Sequence, residues 1–335
     1  MFVPLSIPSP TDDWQGLPLG KWLHDLGLAF VNPDALNIRT YALCILVGIV
    51  AAALLTNRRL TKRGAEPWVT LDIIVWAIPF GIVGARIFHV VTHPNDYFAG
   101  QDLIKVLYIW EGGIAIFGAL IGGAIGAYIG TRIAGIRFFA FADALAPGLL
   151  LAQAFGRFGN WFNHELFGTP TDLPWGLEVP KPNSAFPVGL PDDTLFHPTF
   201  LYEVIWNVLG VLVILLIAKK FTLQWGKVFS LYLIWYGAGR IVWETIRIDP
   251  SEIFFGIRTN VWAAIAAVVL GVVIWVVQSR RHPGAEPSPY LPGKEWAGPD
   301  AGVDSEETYS DASETSGSDD SGNDAANTPE VPARN

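Results

Sequence analysis

Residues Gly156–Gly168 read GRFGNWFNHELFG. The run places Arg157, Asn160, Asn163, His164 and Glu165 at the end of a long apolar stretch. A charged side chain at the centre of a membrane helix costs about 2.5–3.5 kcal/mol on insertion scales. A chain that carries one there is building a site or a buried pair. Whether the flanking sequence is membrane-spanning therefore decides how the whole chain is read.

Outward from this run, seven apolar segments are long enough, or nearly so, to cross roughly 30 Å of hydrocarbon as helices. They lie near Ile38–Thr56, Pro67–Val91, Gly113–Ile133, Phe138–Phe158, Pro198–Ala218, Val228–Thr245 and Asn260–Val277. Of the 335 residues, 51% are hydrophobic and 16% charged, too apolar a balance for an ordinary soluble domain of this length. The expected fold is an all-α polytopic membrane protein of about seven transmembrane helices. The single cysteine, Cys44, excludes a disulfide within the chain and a cysteine-rich metal site, and reads as a small buried hydrophobe.

Basic residues mark alternate links: Arg58, Arg59, Lys62 and Arg63 after the first segment, Arg132 and Arg137 after the third, Lys219, Lys220 and Lys227 after the fifth, Arg280 and Arg281 after the seventh. The other links hold fewer bases, among them Lys105, Lys181, Arg247 and Arg258, and more acids. The bias predicts the N-terminus outside and the C-terminus in the cytoplasm. Residues 1–35 read as an interfacial lead-in with a short surface helix, and 36–281 as the membrane core. Loop 163–197, broken by six prolines, lies outside and is expected to be irregular or built of short turns. Residues 282–335 hold twelve acids against Lys294 and Arg334, which accounts for the whole net charge of −9; this stretch reads as a disordered acidic tail.

Within the membrane segments lie Arg86, Asp143, Arg157, Glu203, Arg240 and Glu244. They must pair or face water. Tyr236, Arg240 and Glu244 follow one another at intervals of four and form one stripe, and Arg157 and Asn160 share another face. Each group reads either as a structural pair or as a site. Two arginines on different helices suit a buried phosphate, onto whose oxygens the guanidinium forks; in a membrane protein that phosphate is a lipid head group. A lipid or solute transporter could use the same arginines. The glycines of the third segment, Gly118, Gly122 and Gly126, fall on one helix face and read as a close-packing surface.

Four further motifs accompany the opening run: IRTY at Ile38–Tyr41, Gly84–Arg86 with Asp143, HPTFLYE at His197–Glu203, and YGAGRIVWE at Tyr236–Glu244. Together, in this order, they resemble the bacterial prolipoprotein diacylglyceryl transferases from about residue 36 to 250. The resemblance implies an enzyme of the bacterial inner or plasma membrane that moves the diacylglyceryl group of phosphatidylglycerol onto the lipobox cysteine of preprolipoprotein signal peptides. The product is a thioether, glycerol-1-phosphate leaves, and no cofactor, metal or nucleic acid takes part. It assigns Arg240, Arg157, Glu244, Tyr41 and Tyr236 to catalysis. Arg157, Asn160, Asn163, Glu165 and Gly168 are assigned to the phosphatidylglycerol head group. Many members carry a histidine, considered as proton acceptor, where this chain has Phe117; His89 is the substitute candidate. The transporter alternative would spread polar residues along a path across the bilayer and build the chain from repeated halves, whereas here the motifs gather at the outer segment ends and no repeat is evident.

Overall fold

The computed structural model describes residues 6–298 apart from 29, 31, 34–36 and 99–102. A short helix α1 (Leu19–Asp25) follows strand β1 (Gly16–Pro18), which pairs antiparallel with β2 (Asn37–Arg39). The long helices are α2 (Thr40–Thr61), α3 (Val69–Thr92), then after a four-residue helix α4 (Asn95–Phe98) α5 (Ile116–Ile133) and α6 (Phe138–Phe162), followed by α7 (Thr199–Phe221), α8 (Lys227–Ile246) and α9 (Thr259–Arg281). Strands β3 (Leu177–Glu178) and β4 (Leu195–Phe196) pair before α7, and β5 (Ile253–Phe254) and β6 (Ile257–Arg258) form a hairpin before α9.

Six of these helices, α2, α3, α5, α6, α7 and α9, are long and apolar enough to cross a membrane. Each corresponds to a segment read from the sequence. The remaining segment, Val228–Thr245, also forms a helix, the 20-residue α8, but Arg240, Glu244 and its tyrosines keep it out of that apolar class. Helix α6 is the hub: α2, α7 and α8 pack on it, and Ala140, Ala144, Ala146 and Leu150 are fully buried there.

Helix α5 lies directly on α3 through its glycines. A Cβ on Gly122 would strike the carbonyl oxygen of Phe80 and come within 3.1 Å of Gly84 Cα; one on Gly118 would strike the carbonyl oxygen of Gly84. The glycine face is therefore filled by another backbone, the close-packing use of such a stripe. The loop before α5 is held from α3 by Arg86, whose Nε donates to Val106 O at 2.8 Å and Nη1 to Gly112 O at 2.7 Å and Gly113 O at 3.0 Å. Gly113 has φ +72° and a Cβ there would meet Arg86 and His89, so the turn needs glycine.

The links that carry the basic residues come together at one end. Asp143 of α6 accepts from the backbone N–H groups of Gly226 at 2.8 Å and Phe229 at 2.9 Å, capping α8 from a neighbouring helix. Asp143→Ala would leave two buried donors without partners. It is expected to cost about 2 kcal/mol of stability, read as a lower melting temperature in detergent with helix content retained.

Residues 282–296, which composition joins to the acidic tail, form an extended strap across this same end. Arg63 pairs with Glu286, Arg137 N–H donates to Pro289 O at 2.8 Å, Leu291 N–H to Gly135 O at 2.7 Å, and Trp225 stacks on His282 at 3.9 Å. Burial pushes the Glu286 carboxyl up, with Arg63 opposing. Tyr290 and Glu286 are buried, Tyr290 among Leu60, Ile136 and Phe141, so the strap is anchored in the core of the helices despite its polar composition. Residues 299–335 lie outside the described residues.

The loop 163–197 also has a core: Phe167, Leu177, Val179, Phe186 and Phe196 are buried together with Phe200 of α7. The prolines break helices there, but the aromatic residues fold the loop into a compact cap with a short sheet.

Candidate active site

The site begins on α6, where spacings of three and four put Arg157 and Asn160 on one face. Arg157 Nε pairs with Glu203 Oε2 of α7 at 2.7 Å, and its Nη1 reaches Asn160 Oδ1 at 3.4 Å. Glu165, three residues past the helix end, accepts from Asn160 Nδ2 at 2.8 Å and Asn163 Nδ2 at 3.2 Å. The ring of Tyr41, at the start of α2, lies against Gly159, where a Cβ would come within 2.9 Å of Tyr41 Cδ2. Its phenol falls in the electrostatic fields of Glu165 and Arg157.

The other half is on α8. Arg240 Nη2 pairs with Glu244 Oε2 at 2.9 Å across one helical turn. Glu244 is fully buried; its Oε1 faces Arg258 Nε at 3.2 Å and accepts from Asn260 Nδ2 at 3.0 Å. The two halves meet through Glu203 and Arg247: the second oxygen of Glu203 lies 3.9 Å from Arg247 Nη1, and Arg247 Nε bonds Asp249 at 2.6 Å. Arg240 feels repulsion from Arg157 and Arg247 and attraction from Glu244 and Glu203, so both motif arginines stand in one field. Arg240 Nη1 is buried with no hydrogen-bond partner. The protein thus offers a spare cationic donor within the cluster.

Gly168 is a junction. Its N–H donates to His197 O at 2.9 Å, it bridges Arg247, and a Cβ there would crowd His197 and Ile246. It brings the cap, the start of α7 and the end of α8 into register with no side chain of its own. Tyr236 stacks on Tyr232 at 6.0 Å, one turn deeper than Arg240. His164 anchors the N-terminal segment, its Nε2 lying 2.8 Å from Pro10 O. His197 Nδ1 lies 3.2 Å from the Tyr202 hydroxyl, at the head of α7.

His89 stands elsewhere. It stacks on His93 at 4.4 Å and meets Tyr97 edge-on at 6.0 Å, at the corner of α3 and α4 beside Arg86. None of these neighbours belongs to the arginine cluster. Phe117 packs against Phe88 at 6.1 Å. Three members of the cluster went unassigned by the sequence reading. In the sequence Glu203 stands as an intramembrane charge and as the end of the HPTFLYE motif, and Arg247 and Arg258 stand as loop bases. Spacing held a signal for Arg247, which lies three residues past Glu244; Arg258 reaches the cluster only because the hairpin folds back.

Long apolar helices with paired charges sunk at one end define a multi-pass membrane protein whose polar site is built among its helices. Which one follows from comparison with known proteins. The family model of prolipoprotein diacylglyceryl transferase matches residues 29–277, and the chain belongs to that family. It is 59% identical over 311 residues to the phosphatidylglycerol–prolipoprotein diacylglyceryl transferase of Leifsonia xyli subsp. xyli, covering 90% of each chain. It is 46% identical over 279 residues to the second such enzyme of Streptomyces coelicolor, covering 83% of this chain and 86% of that one. The Paenarthrobacter aurescens enzyme of the same name is 43% identical over 270 residues, 78% of this chain and 85% of its own. The chain is accordingly a diacylglyceryl transferase.

Proposed function

We propose that this enzyme transfers the diacylglyceryl group of phosphatidylglycerol to the lipobox cysteine thiol of prolipoprotein signal peptides. The observation that carries this reading is the pair Arg157 and Arg240, held in one field by Glu203 and Glu244, with Arg240 Nη1 unspent. A phosphodiester entering between them accepts hydrogen bonds that the protein does not satisfy itself. Sulfur attacks the glycerol carbon that bears the phosphate oxygen. The carbon–sulfur bond forms, the carbon–oxygen bond breaks, and the electron pair leaves on glycerol-1-phosphate. Charge grows on the departing phosphate as the bond opens, so fixed guanidinium donors stabilise the transition state more than the bound lipid.

In this reading Arg157, with Asn160 and Asn163, holds the head group, and Arg240, oriented by Glu244, stabilises the leaving phosphate. Tyr41 closes the outer side. Tyr236 lines the floor, and Gly168 sets the register of the cap over it. The thiol has to lose its proton, since an ordinary thiol is mostly protonated at neutral pH. Glu165 is the carboxylate on hand, and His89 is the alternative at the α3 corner. The chain crosses the bacterial inner or plasma membrane seven times, with α8 as the polar crossing shielded by α6, α7 and α9. The N-terminus is outside, and the strap and acidic tail lie in the cytoplasm. The gathering of the basic links at the end opposite the arginine chamber supports that orientation.

The test is direct. Purified enzyme with phosphatidylglycerol vesicles and a lipobox peptide is expected to raise the peptide mass by one diacylglyceryl group. The gain is expected to vanish when the peptide cysteine is replaced by serine. Lipid or solute flux with no change in peptide mass would instead favour a transporter.

A further inference from the structure

One turn deeper than Arg157, on the same face of α6, sits Gln153. Its Nε2 donates to the Tyr232 hydroxyl of α8 at 3.1 Å, while its Oε1 is buried with no partner. A buried amide oxygen left alone is costly and points to a ligand or to a rearrangement made when one binds. Beside it, Gly156 is helical and a Cβ built there would meet nothing within 4 Å. Gln153, Gly156, Arg157 and Asn160 follow one another at spacings of three, one and three, so the open space adjoins both the arginine and the unsatisfied amide.

From this we infer that Gln153, with Tyr232 behind it and the gap at Gly156 beside it, binds an acyl ester of the lipid donor. The inference rests on the transferase reading and adds to it the part of the lipid that is read. Four residues of helix rise about 6 Å, which matches the drop from a phospholipid phosphate to its ester carbonyls. With the phosphate between Arg157 and Arg240 and the tails running inward, the esters reach the level of Gln153. An ester carbonyl only accepts hydrogen bonds. Turned over, the Gln153 amide accepts from the Tyr232 hydroxyl through Oε1 and directs both Nε2 hydrogens into the gap. Every buried polar atom of the pair is then satisfied, and the ester is what makes that arrangement the better one. Gln153 acts here as a specificity-determining residue, selecting an ester-linked lipid.

The experiment compares ordinary phosphatidylglycerol with its dialkyl ether analogue of equal chain length, in detergent, by peptide mass and initial rate. The unaltered enzyme is expected to favour the diester by about three- to tenfold in kcat/KM, the worth of one hydrogen bond. Gln153→Leu and the straight-chain Gln153→Met are expected to bring that ratio to about one by losing rate on the diester alone. Gly156→Leu, compatible with the helix, is expected to impair both lipids by filling the gap. Equal use of the two lipids by the unaltered enzyme overturns the inference, as does an unchanged ratio in a folded Gln153 variant. Loss of rate on both lipids in both Gln153 variants would reduce Gln153 to a packing role and also overturn it. Failure of the unaltered enzyme to modify the peptide with ordinary phosphatidylglycerol would be a different result, and would fell the transferase reading itself.

Discussion

Arg240→Ala is expected to reduce peptide modification by about a hundred- to a thousandfold, the range found when one transition-state donor is removed. The loss should fall on kcat at saturating lipid, because charge on the phosphate is greatest as the carbon–oxygen bond opens. The protein should nonetheless stay folded and membrane-inserted. Glu244 Oε1 keeps Arg258 at 3.2 Å and Asn260 at 3.0 Å when Arg240 is gone, so the buried charge stays paired although Oε2 loses its partner. Arg240→Lys restores the charge without the planar fork and is expected to recover only a small part of the rate. Arg157→Ala differs in one respect: Glu203 is left with only the 3.9 Å contact to Arg247, so a loss of stability should accompany the loss of activity. Initial rates by peptide mass, with thermal melts of each variant, separate the two effects. An Arg240→Ala enzyme turning over normally would remove that residue from the chemistry.

Gly122→Leu is expected to be the most damaging substitution far from the chamber. The new side chain would have to enter the space held by the Phe80 carbonyl and the Gly84 backbone, and neither can move as a side chain can. Overpacking a closed interface costs about 1–3 kcal/mol even where side chains can shift, so a value at or above the top of that range is expected here. Separating α3 from α5 would also loosen the loop that Arg86 grips, since that loop enters α5. Poor recovery from the membrane and a melting temperature many degrees lower are the readouts. Gly123→Leu, whose site is contacted only at 3.8 Å and beyond, is the matched control and should be far milder.

The helices were legible because membrane spanning demands long apolar runs, and each segment read from the sequence is a helix in the structure. The chamber was legible in part. Arg157, Asn160 and Glu165 lie within nine residues of one another, and Arg240 and Glu244 one turn apart, so helical spacing alone groups them. Glu203 and Arg258 join only through the packing of α7 against α8 and the fold-back of the β5–β6 hairpin, which local pattern does not encode. Gln153 stayed silent for another reason: an uncharged amide in an apolar run attracts no notice until its oxygen is seen without a partner. The strap was missed because composition describes residues 282–335 as a whole, whereas Glu286 and Tyr290 fold its first part against the helices.

That strap has a bearing on how the enzyme comes into being. Arg63 and Glu286 are separated by 223 positions in sequence, and the strap also fastens the α5–α6 and α7–α8 turns. All seven long helices precede the strap in sequence, so the seam it closes stays open until every one of them has been made. Locking of the bundle therefore comes after synthesis of its last helix. A product cut short after α9 would insert every helix and still lack the clasp that holds them as a working set.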